Sequence, residues 1–391
     1  MIYGINKMRV IVVSNYFNHH QQPLCEILKD KCESFFFIST SVMREERKKL
    51  GYTFDEPEYV IKALDEKEIQ RAKAEISNAD VIIYGSAVGE LSKSRYYFNK
   101  TIFYYSERIY KTGCKYWMLP IRAIQFYYKY RWRRKSCLLC AGAYTAYDYS
   151  LSKSFLNKYY KWGYFPKLNV YNLDEFFSNK EKSKILWCGR LIDWKHPELA
   201  VKAAAMLKET GYDFTLDIIG SGEMETELNK LIKNSNLEDT VRLLGSMPPA
   251  EVRQHMNKAG IFLMTSDKQE GWGAVLNEAM NSGCAVIAGS AIGSVPFLIE
   301  NEKNGFIVKN DDVQMFYGRI CELLKKPELI EKLGRSAYNT IASEWNAVVA
   351  ADRLLSVADS FYKTGDLPNY YFSGPLSKAM IMGDNEFEFY S

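Results

Sequence analysis

Four short stretches of this chain place glycines, charges or hydroxyls directly after apolar runs that read as strands. The most specific is Glu270-Gly271-Trp272-Gly273, which follows Ile261–Thr265 and opens a helical run, Ala274–Met280, that contains Glu278. Glycines free the loop, and the amides and dipole of a helix start suit a phosphate. Glu270 before the helix and Glu278 about one turn inside it can accept hydrogen bonds from sugar hydroxyls. Two carboxylates beside a diphosphate repel it unless cations stand between. Arg190 and Lys195, in the stretch after Lys184–Cys188, are placed to supply them: Gly189-Arg190 follows the strand and Lys195 comes five residues later. Two weaker candidates complete the set. Gly220-Ser221-Gly222 follows Phe214–Ile219, with Glu225 where a dinucleotide-binding fingerprint requires its third glycine. Gly289 to Pro296, with Gly293 and Ser294, forms a Gly/Ser-rich loop of the kind that cradles anions.

The elements that must hold these residues repeat one rhythm. In the first half, Arg9–Ser14, Phe35–Ser39, Asp80–Tyr84, Thr101–Tyr105 and Leu138–Tyr144 read as strands, separated by amphipathic stretches such as Asp65–Ser77. After a polar segment from Trp162 to Lys184, read as a linker, a second series begins. Its strands are Lys184–Cys188, Phe214–Ile219, Val241–Leu244, Ile261–Thr265, Ala285–Ala288 and Phe306–Val308. Leu199, Ala203, Met206 and Leu207 mark a helix over Pro197–Thr210, and a long helical pattern runs from Trp345 to Tyr362. The alternation predicts an α/β fold of two doubly wound parallel-sheet domains in tandem, with ligands beyond the carboxyl ends of the strands. The expected boundaries are 1–175, 176–345 and a C-terminal segment, 346–391, returning to the first domain.

The gross composition bounds the rest. The 391 residues are 47% hydrophobic and 25% charged, as in ordinary globular domains. No apolar run is long enough for a transmembrane helix, and the N-terminal apolar stretch is too short for a secretory signal, so a cytoplasmic location is expected. Of the eight cysteines only Cys137 and Cys140 form a CxxC, and no second pair or His accompanies it. Buried thiols are expected there rather than a zinc or redox site. Residues 1–180 carry 29 Lys+Arg against 18 Asp+Glu, while residues 181–391 carry 22 against 29. The first half therefore has reason to meet an anionic partner. Arg122–Lys135, RAIQFYYKYRWRRK, interleaves six cations with aromatics. That pattern suits an anionic membrane surface, and single-stranded nucleic acid uses similar residues. The membrane is the expected partner and nucleic acid is not.

In order and spacing, GRLIDWK, GSGE, RLLG, EGWGAVLNE, AVIAGS and NGFIV resemble the donor domain of retaining GT-B glycosyltransferases, specifically glycosyltransferase family 4. The resemblance implies a GT-B fold, two Rossmann-like domains facing a cleft. It implies transfer of a hexosyl group from a nucleoside diphosphate sugar, UDP- or GDP-linked, with retention and without a metal or other cofactor. Arg190 and Lys195 would hold the diphosphate, Glu278 the ribose and Glu270 the donor sugar. Backbone near Leu243 and Leu244 would meet the base, and Gly189, Gly220, Gly222, Gly271, Trp272, Gly273, Gly293 and Ser294 would line the donor. Phe297 stands after Gly-Ser-Val-Pro where the family often has a Glu. The first half departs further. The loop after the first strand, Asn15 to Gln22, lacks glycine, and its His19 and His20 are candidates to orient or deprotonate an acceptor hydroxyl. Glu107 after the fourth strand is a third. The acceptor would be a glycan or lipid-linked glycan, in bacterial capsule, exopolysaccharide or O-antigen assembly. The competing readings are a sugar-nucleotide epimerase or hydrolase of the same fold, and a non-catalytic nucleotide-sugar-binding subunit.

Overall fold

A computed structural model describes residues 8–43, 57–92, 100–130, 136–156, 158–365, 367–368 and 371–383, with backbone only for 129 and 130. The chain divides into two compact units. The first spans residues up to Lys167 together with Trp345–Gly383, and the second spans Leu168–Glu344.

The first unit is built on a seven-stranded sheet. Its strands are β1 (Arg9–Ser14), β2 (Ser34–Ser39), β3 (Val60–Lys62), β4 (Val81–Tyr84), β5 (Thr101–Ser106), β6 (Ser136–Ala141) and β7 (Tyr159–Trp162). They lie in the order β3-β2-β1-β4-β5-β6-β7, every pair parallel. The apolar runs that mark the central strands are buried on both faces, as a parallel sheet covered by helices requires. Two strands escape the sequence reading. β3 is three residues long. β7 ends where the expected linker begins, and its YYKW carries no apolar run. β6 ends at Ala141, three residues short of the expected Tyr144, because Gly142 turns the chain at φ 125° into a short helix, Thr145–Ser150. The helix Ala347–Thr364 belongs to this unit. Asn346 Oδ1 caps it by accepting from the Val349 amide (3.0 Å), and Gly365 ends it at φ 76°. Its buried Ala350, Leu354 and Ala358 recur every fourth residue, and it packs on the helix Gln22–Lys31, to which Asp352 is tied by Lys31.

The second unit repeats the plan with six strands: β8 (Glu181–Cys188), β9 (Thr215–Ile219), β10 (Val241–Leu243), β11 (Ala259–Met264), β12 (Ala285–Gly289) and β13 (Phe306–Val308). Their order is β10-β9-β8-β11-β12-β13, again all parallel. The core between sheet and helices gathers Trp187, Leu207, Leu216, Ile261, Ile287 and Phe316. Strand order reverses between β8 and β11. At such a reversal the following loops diverge to opposite faces and leave a crevice at the strands' carboxyl ends. Gly189–Lys195 follows β8 and Ser266–Gly273 follows β11, so the sheet delivers both stretches to that crevice.

Among the described residues, no helix is long and apolar enough to cross a membrane. All eight cysteines are free. Cys137 and Cys140 are fully buried in β6, where loss of solvent drives both thiols well above their ordinary range.

Candidate functional site

The loops after β8 and β9 are fused through their backbones. Gly189 N–H donates to Ile219 O (3.0 Å), Leu191 N–H to Ser221 O (2.9 Å) and Met224 N–H to Leu191 O (3.0 Å). A Cβ on Gly220 (φ 142°) would stand 1.8 Å from Gly189 O, and one on Gly222 would stand 2.2 Å from Leu191 O. These two glycines therefore admit the neighbouring loop, which accounts for them without a ligand. Gly189 and the exposed Arg190 head the β8 loop, with the Arg190 guanidinium 5.5 Å from the Trp194 ring. Lys195 ends a single 3-10 turn, Asp193–Lys195.

Lys195 crosses to the β11 loop. Its Nζ pairs with Glu270 Oε2, both side chains nearly buried, and sits 4.9 Å from the Trp194 ring. Ser266 Oγ donates to the same Glu270 oxygen (3.4 Å). The cation is locked to the scaffold beneath, since Thr265 Oγ1 donates to Lys195 O (2.7 Å) and Trp187 Nε1 donates to Thr265 Oγ1 (2.8 Å). The turn out of the β11 loop needs Gly273. Its φ is 87°, and a Cβ there would strike the Met264 methyl at 2.2 Å. The helix Ala274–Asn281 follows with no side-chain cap; Leu276 N–H donates to Gly273 O (2.9 Å), and the amides of Ala274 and Val275 head the helix where anionic oxygens bind well.

Glu278 lies on this helix, partly buried. Arg253 donates to its backbone carbonyl (2.7 Å), and its carboxylate has no ion pair or hydrogen bond among the described residues. Burial raises its carboxyl pKa, with Arg253's charge opposing. Cys188, at the end of β8, reports the same neighbourhood. Burial first and Glu278 second push its thiol up to about 12, while Lys195 pulls it down. Gly189, Arg190, Lys195, Glu270, Gly271, Gly273 and Glu278 thus gather at the β8–β11 reversal. Leu244 lies one loop away, past β10, its N–H donating to Ile218 O (2.9 Å).

Two of the stretches expected to line the donor have structural tasks of their own. The Trp272 ring is fully buried and donates to Asn277 Oδ1 (2.8 Å), so it anchors the loop from below and its side chain cannot touch a ligand. The Gly/Ser-rich loop after β12 has its amides consumed internally. Gly293 N–H donates to Glu270 O (3.1 Å) and Ser294 N–H to Trp272 O (3.2 Å), while Ala291 N–H donates to Asn310 Oδ1 (2.7 Å). Gly293 and Ser294 therefore brace the Glu270 loop instead of forming an anion nest. Asn310 completes the brace by donating from Nδ2 to Ser266 O (2.7 Å).

Sequence reasoning also passed over His196. It takes a left-handed conformation (φ 49°), with Nδ1 3.1 Å from Glu198 Oε1. Its Nε2 stands 3.8 Å from Asp267 Oδ2 and 3.6 Å from Asp311 Oδ1. Its place directly before a helix-starting proline is its sequence signal.

The first unit makes a cluster of its own. Glu107 receives Tyr164 Oη (2.8 Å) on one oxygen and the Lys111 ammonium on the other. Tyr164 also stacks near His20, ring centres 6.2 Å apart, and His20 lies 3.7 Å from His19. The segment carrying Glu107 is fixed by the buried Asp148, which pairs with Arg108 (3.3 Å) and accepts from the Ile109 and Tyr110 amides. A cavity of about 40 Å³ adjoins, lined by His20, Gln21, Tyr105 and Tyr164 above an apolar floor. Tyr164 follows β7 directly and was hidden because that stretch reads as a linker.

Two all-parallel doubly wound units in one chain define the GT-B architecture. HepE of Anabaena, solved in complex with UDP, superposes with a TM-score of 0.69 at 15% identity, covering 90% of this chain and 100% of that one. Residues 172–340, less than half of the chain, match the family described as Glycosyl transferases group 1. The second unit is therefore similar to glycosyltransferase group 1 domains, and its relatives include proteins named for polysaccharide biosynthesis. One is the amylovoran biosynthesis glycosyltransferase AmsK of Erwinia amylovora, 29% identical over 45% of this chain and 44% of its own length. Another is a putative colanic acid biosynthesis glycosyltransferase, WcaL, of Salmonella typhimurium, 30% identical over 43% of each. The matches span under half the length of these curated relatives.

Proposed function

We propose that the protein is a retaining glycosyltransferase. In this reading it moves a hexosyl group from a nucleoside diphosphate sugar to a hydroxyl of a glycan or lipid-linked glycan, in polysaccharide assembly at the inner side of a bacterial membrane. The observation that carries the reading is the Lys195–Glu270 pair beside the uncapped helix Ala274–Asn281, with the Glu278 carboxylate on the same helix lacking an ion pair or hydrogen bond among the described residues. The relatives named for amylovoran and colanic acid biosynthesis, and the UDP bound to HepE, support it.

Each residue has a task that follows from its chemistry. The barrier is loss of a diphosphate from an anomeric carbon that develops positive charge. Lys195 has three donor protons; Glu270 takes one, and two remain for phosphate oxygens. Arg190 adds a fork of donors, and the first-turn amides of the helix add fixed partial positive charge where the leaving group becomes more negative. These cations take the place a divalent ion fills in other transferases, so transfer is expected to persist in a chelator. The Glu278 carboxylate accepts two ribose hydroxyls, and Glu270, tethered by Lys195 and Ser266, accepts from the donor sugar. Glu107, His19 and His20 are assigned to the acceptor.

A thermal-shift screen of UDP-, GDP-, ADP- and CMP-sugars identifies the donor, because binding to the folded chain raises its melting temperature. With that donor, Lys195→Ala and Glu278→Ala are each expected to lower transfer at least tenfold, about 1.4 kcal/mol of transition-state stabilisation, with far-UV circular dichroism unchanged. Near-wild-type transfer in either variant would overturn the reading. A product that is free sugar or an epimerised nucleotide sugar, with or without added acceptor, would replace it by a hydrolase or epimerase.

A further inference from the structure

The basic aromatic stretch of the first unit is only partly described: its residues 131–135 lie outside the described residues, and the helix Leu119–Tyr130 carries the rest. That helix is turned the wrong way round for a globular protein. Phe126 stacks on the buried Tyr149 (5.9 Å) and Arg122 lies over the Tyr110 ring (4.8 Å), so this face docks on the unit. Exposed large side chains are Trp117, in the 3-10 turn Tyr116–Met118 that leads into the helix, and Ile121, Ile124 and Tyr128, spaced i, i+3 and i+7 on the helix's opposite face. They are 72%, 49%, 59% and 64% exposed. Tyr116 and Tyr127 flank them, also exposed. A ridge of large apolar side chains in water is unfavourable and marks a surface that meets something apolar.

The charge pattern selects the occupant. From Arg108 to Tyr147 the sequence has no Asp or Glu and nine Lys or Arg. A second copy of this surface would bring like charge against like charge. Single-stranded nucleic acid would suit the cations and the Tyr and Trp rings, but Ile121 and Ile124 at the centre of the ridge offer no π-face for a base. A hydrocarbon edge accepts them, Trp and Tyr favour the headgroup level, and anionic headgroups attract the cations.

We propose that the helix Leu119–Tyr130 docks the protein on an anionic bilayer, lying in the plane of the interface with Trp117, Ile121, Ile124 and Tyr128 inserted. The inference is independent of the transfer chemistry, because binding to lipid requires neither donor nor acceptor.

The test uses the full chain and sedimentation with vesicles of equal parts phosphatidylglycerol and phosphatidylcholine, compared with phosphatidylcholine alone. The protein is expected to sediment with the anionic vesicles, less so as salt rises, and to show tryptophan quenching by brominated acyl chains. The double variant Ile121→Ser/Ile124→Ser, which removes only exposed side chains, is expected to bind at least tenfold more weakly with an unchanged melting temperature. Trp117→Phe is expected to lose most of the quenching. Failure of the wild type to bind anionic vesicles would overturn the proposal. So would binding that salt abolishes but the isoleucine substitutions leave intact, since that is a basic patch without insertion. Self-association or oligonucleotide binding that depends on Ile121 and Ile124, without vesicle binding, would give the ridge to another occupant and equally overturn it.

Discussion

Glu278 carries opposed demands. Desolvation makes its charge costly, and Arg253, bonded to its backbone carbonyl, offsets part of that cost. A carboxylate held this way is poor for stability and well suited to accepting sugar hydroxyls. The folded pKa lies above the ordinary glutamate value of 4.5. The folded state therefore binds the proton more tightly than the unfolded state, and stability falls as pH rises from the ordinary value through the raised one. Above both, the cost is complete. Glu278→Gln is accordingly expected to raise the melting temperature at neutral pH while weakening donor binding. The gain should shrink as pH falls into the ordinary glutamate range. Calorimetry across that range, with and without donor, checks it; a melting temperature at or below wild type at neutral pH would sink the argument. Much at this scale was open to sequence reading because residue type and order suffice to nominate Lys195, Glu270 and Glu278. The burial of Trp272 and the internal use of the Gly293 and Ser294 amides were not. Both depend on which loop lies alongside, and that is fixed by strand order rather than by local sequence.

The strand-end loops of the second unit act as a laced set, and glycine and histidine do the lacing. Gly220→Ala puts a methyl into the Gly189 carbonyl and should cost at least about 2 kcal/mol through strain and displacement. Gly211, also at positive φ (76°) but with nothing within 4 Å, is the control: Gly211→Ala should cost only about 1 kcal/mol. Equal losses in urea denaturation would show that backbone conformation alone matters at both sites. His196 ties its own loop to the β11 loop through Asp267 and to the loop after β13 through Asp311. Its hydrogen bond with Glu198 raises its pKa most, with the charges of Glu198, Asp311 and Asp267 adding and burial opposing. The stabilisation is full below the unfolded value of about 6.5 and is lost as pH rises through the higher folded value. His196→Asn keeps a residue that tolerates the left-handed conformation. The melting-temperature gap between wild type and His196→Asn should be widest on the acid side of about pH 6.5 and close on the alkaline side. A gap constant with pH would mean that the imidazolium is not what holds these loops. At this scale the long apolar strands and both sheets were legible as alternation. β3 and β7 were not, because a short strand at a sheet edge needs neither an apolar run nor two buried faces.

Over the whole chain, the return of residues 345–383 to the first unit solves a problem that β7 creates. β7 is the last strand of its sheet and would present a row of unpaired backbone groups, a template for pairing with another chain. The tail covers that row. Lys161 N–H donates to Ser377 O (2.8 Å), Leu376 N–H to Lys161 O (2.8 Å) and Ala379 N–H to Tyr159 O (3.1 Å), with Tyr160 opposite Lys378 in an antiparallel bridge. The Lys378 ammonium lies over the Tyr160 ring (4.4 Å), a charge placed at an edge where charge discourages pairing. No local pattern in the tail announces this, since its partner strand is some two hundred residues earlier. A chain ending at Gly365 keeps the helix Ala347–Thr364 and its packing on Gln22–Lys31 but uncovers β7. It is expected to fold with near-native circular dichroism and to self-associate with rising concentration in sedimentation velocity, while the full chain does not. Ala379→Pro, which removes one of the three tail-to-strand bonds, should move part of the way. A truncated chain that stays monodisperse would show that the edge is protected by the twist and shortness of β7 alone.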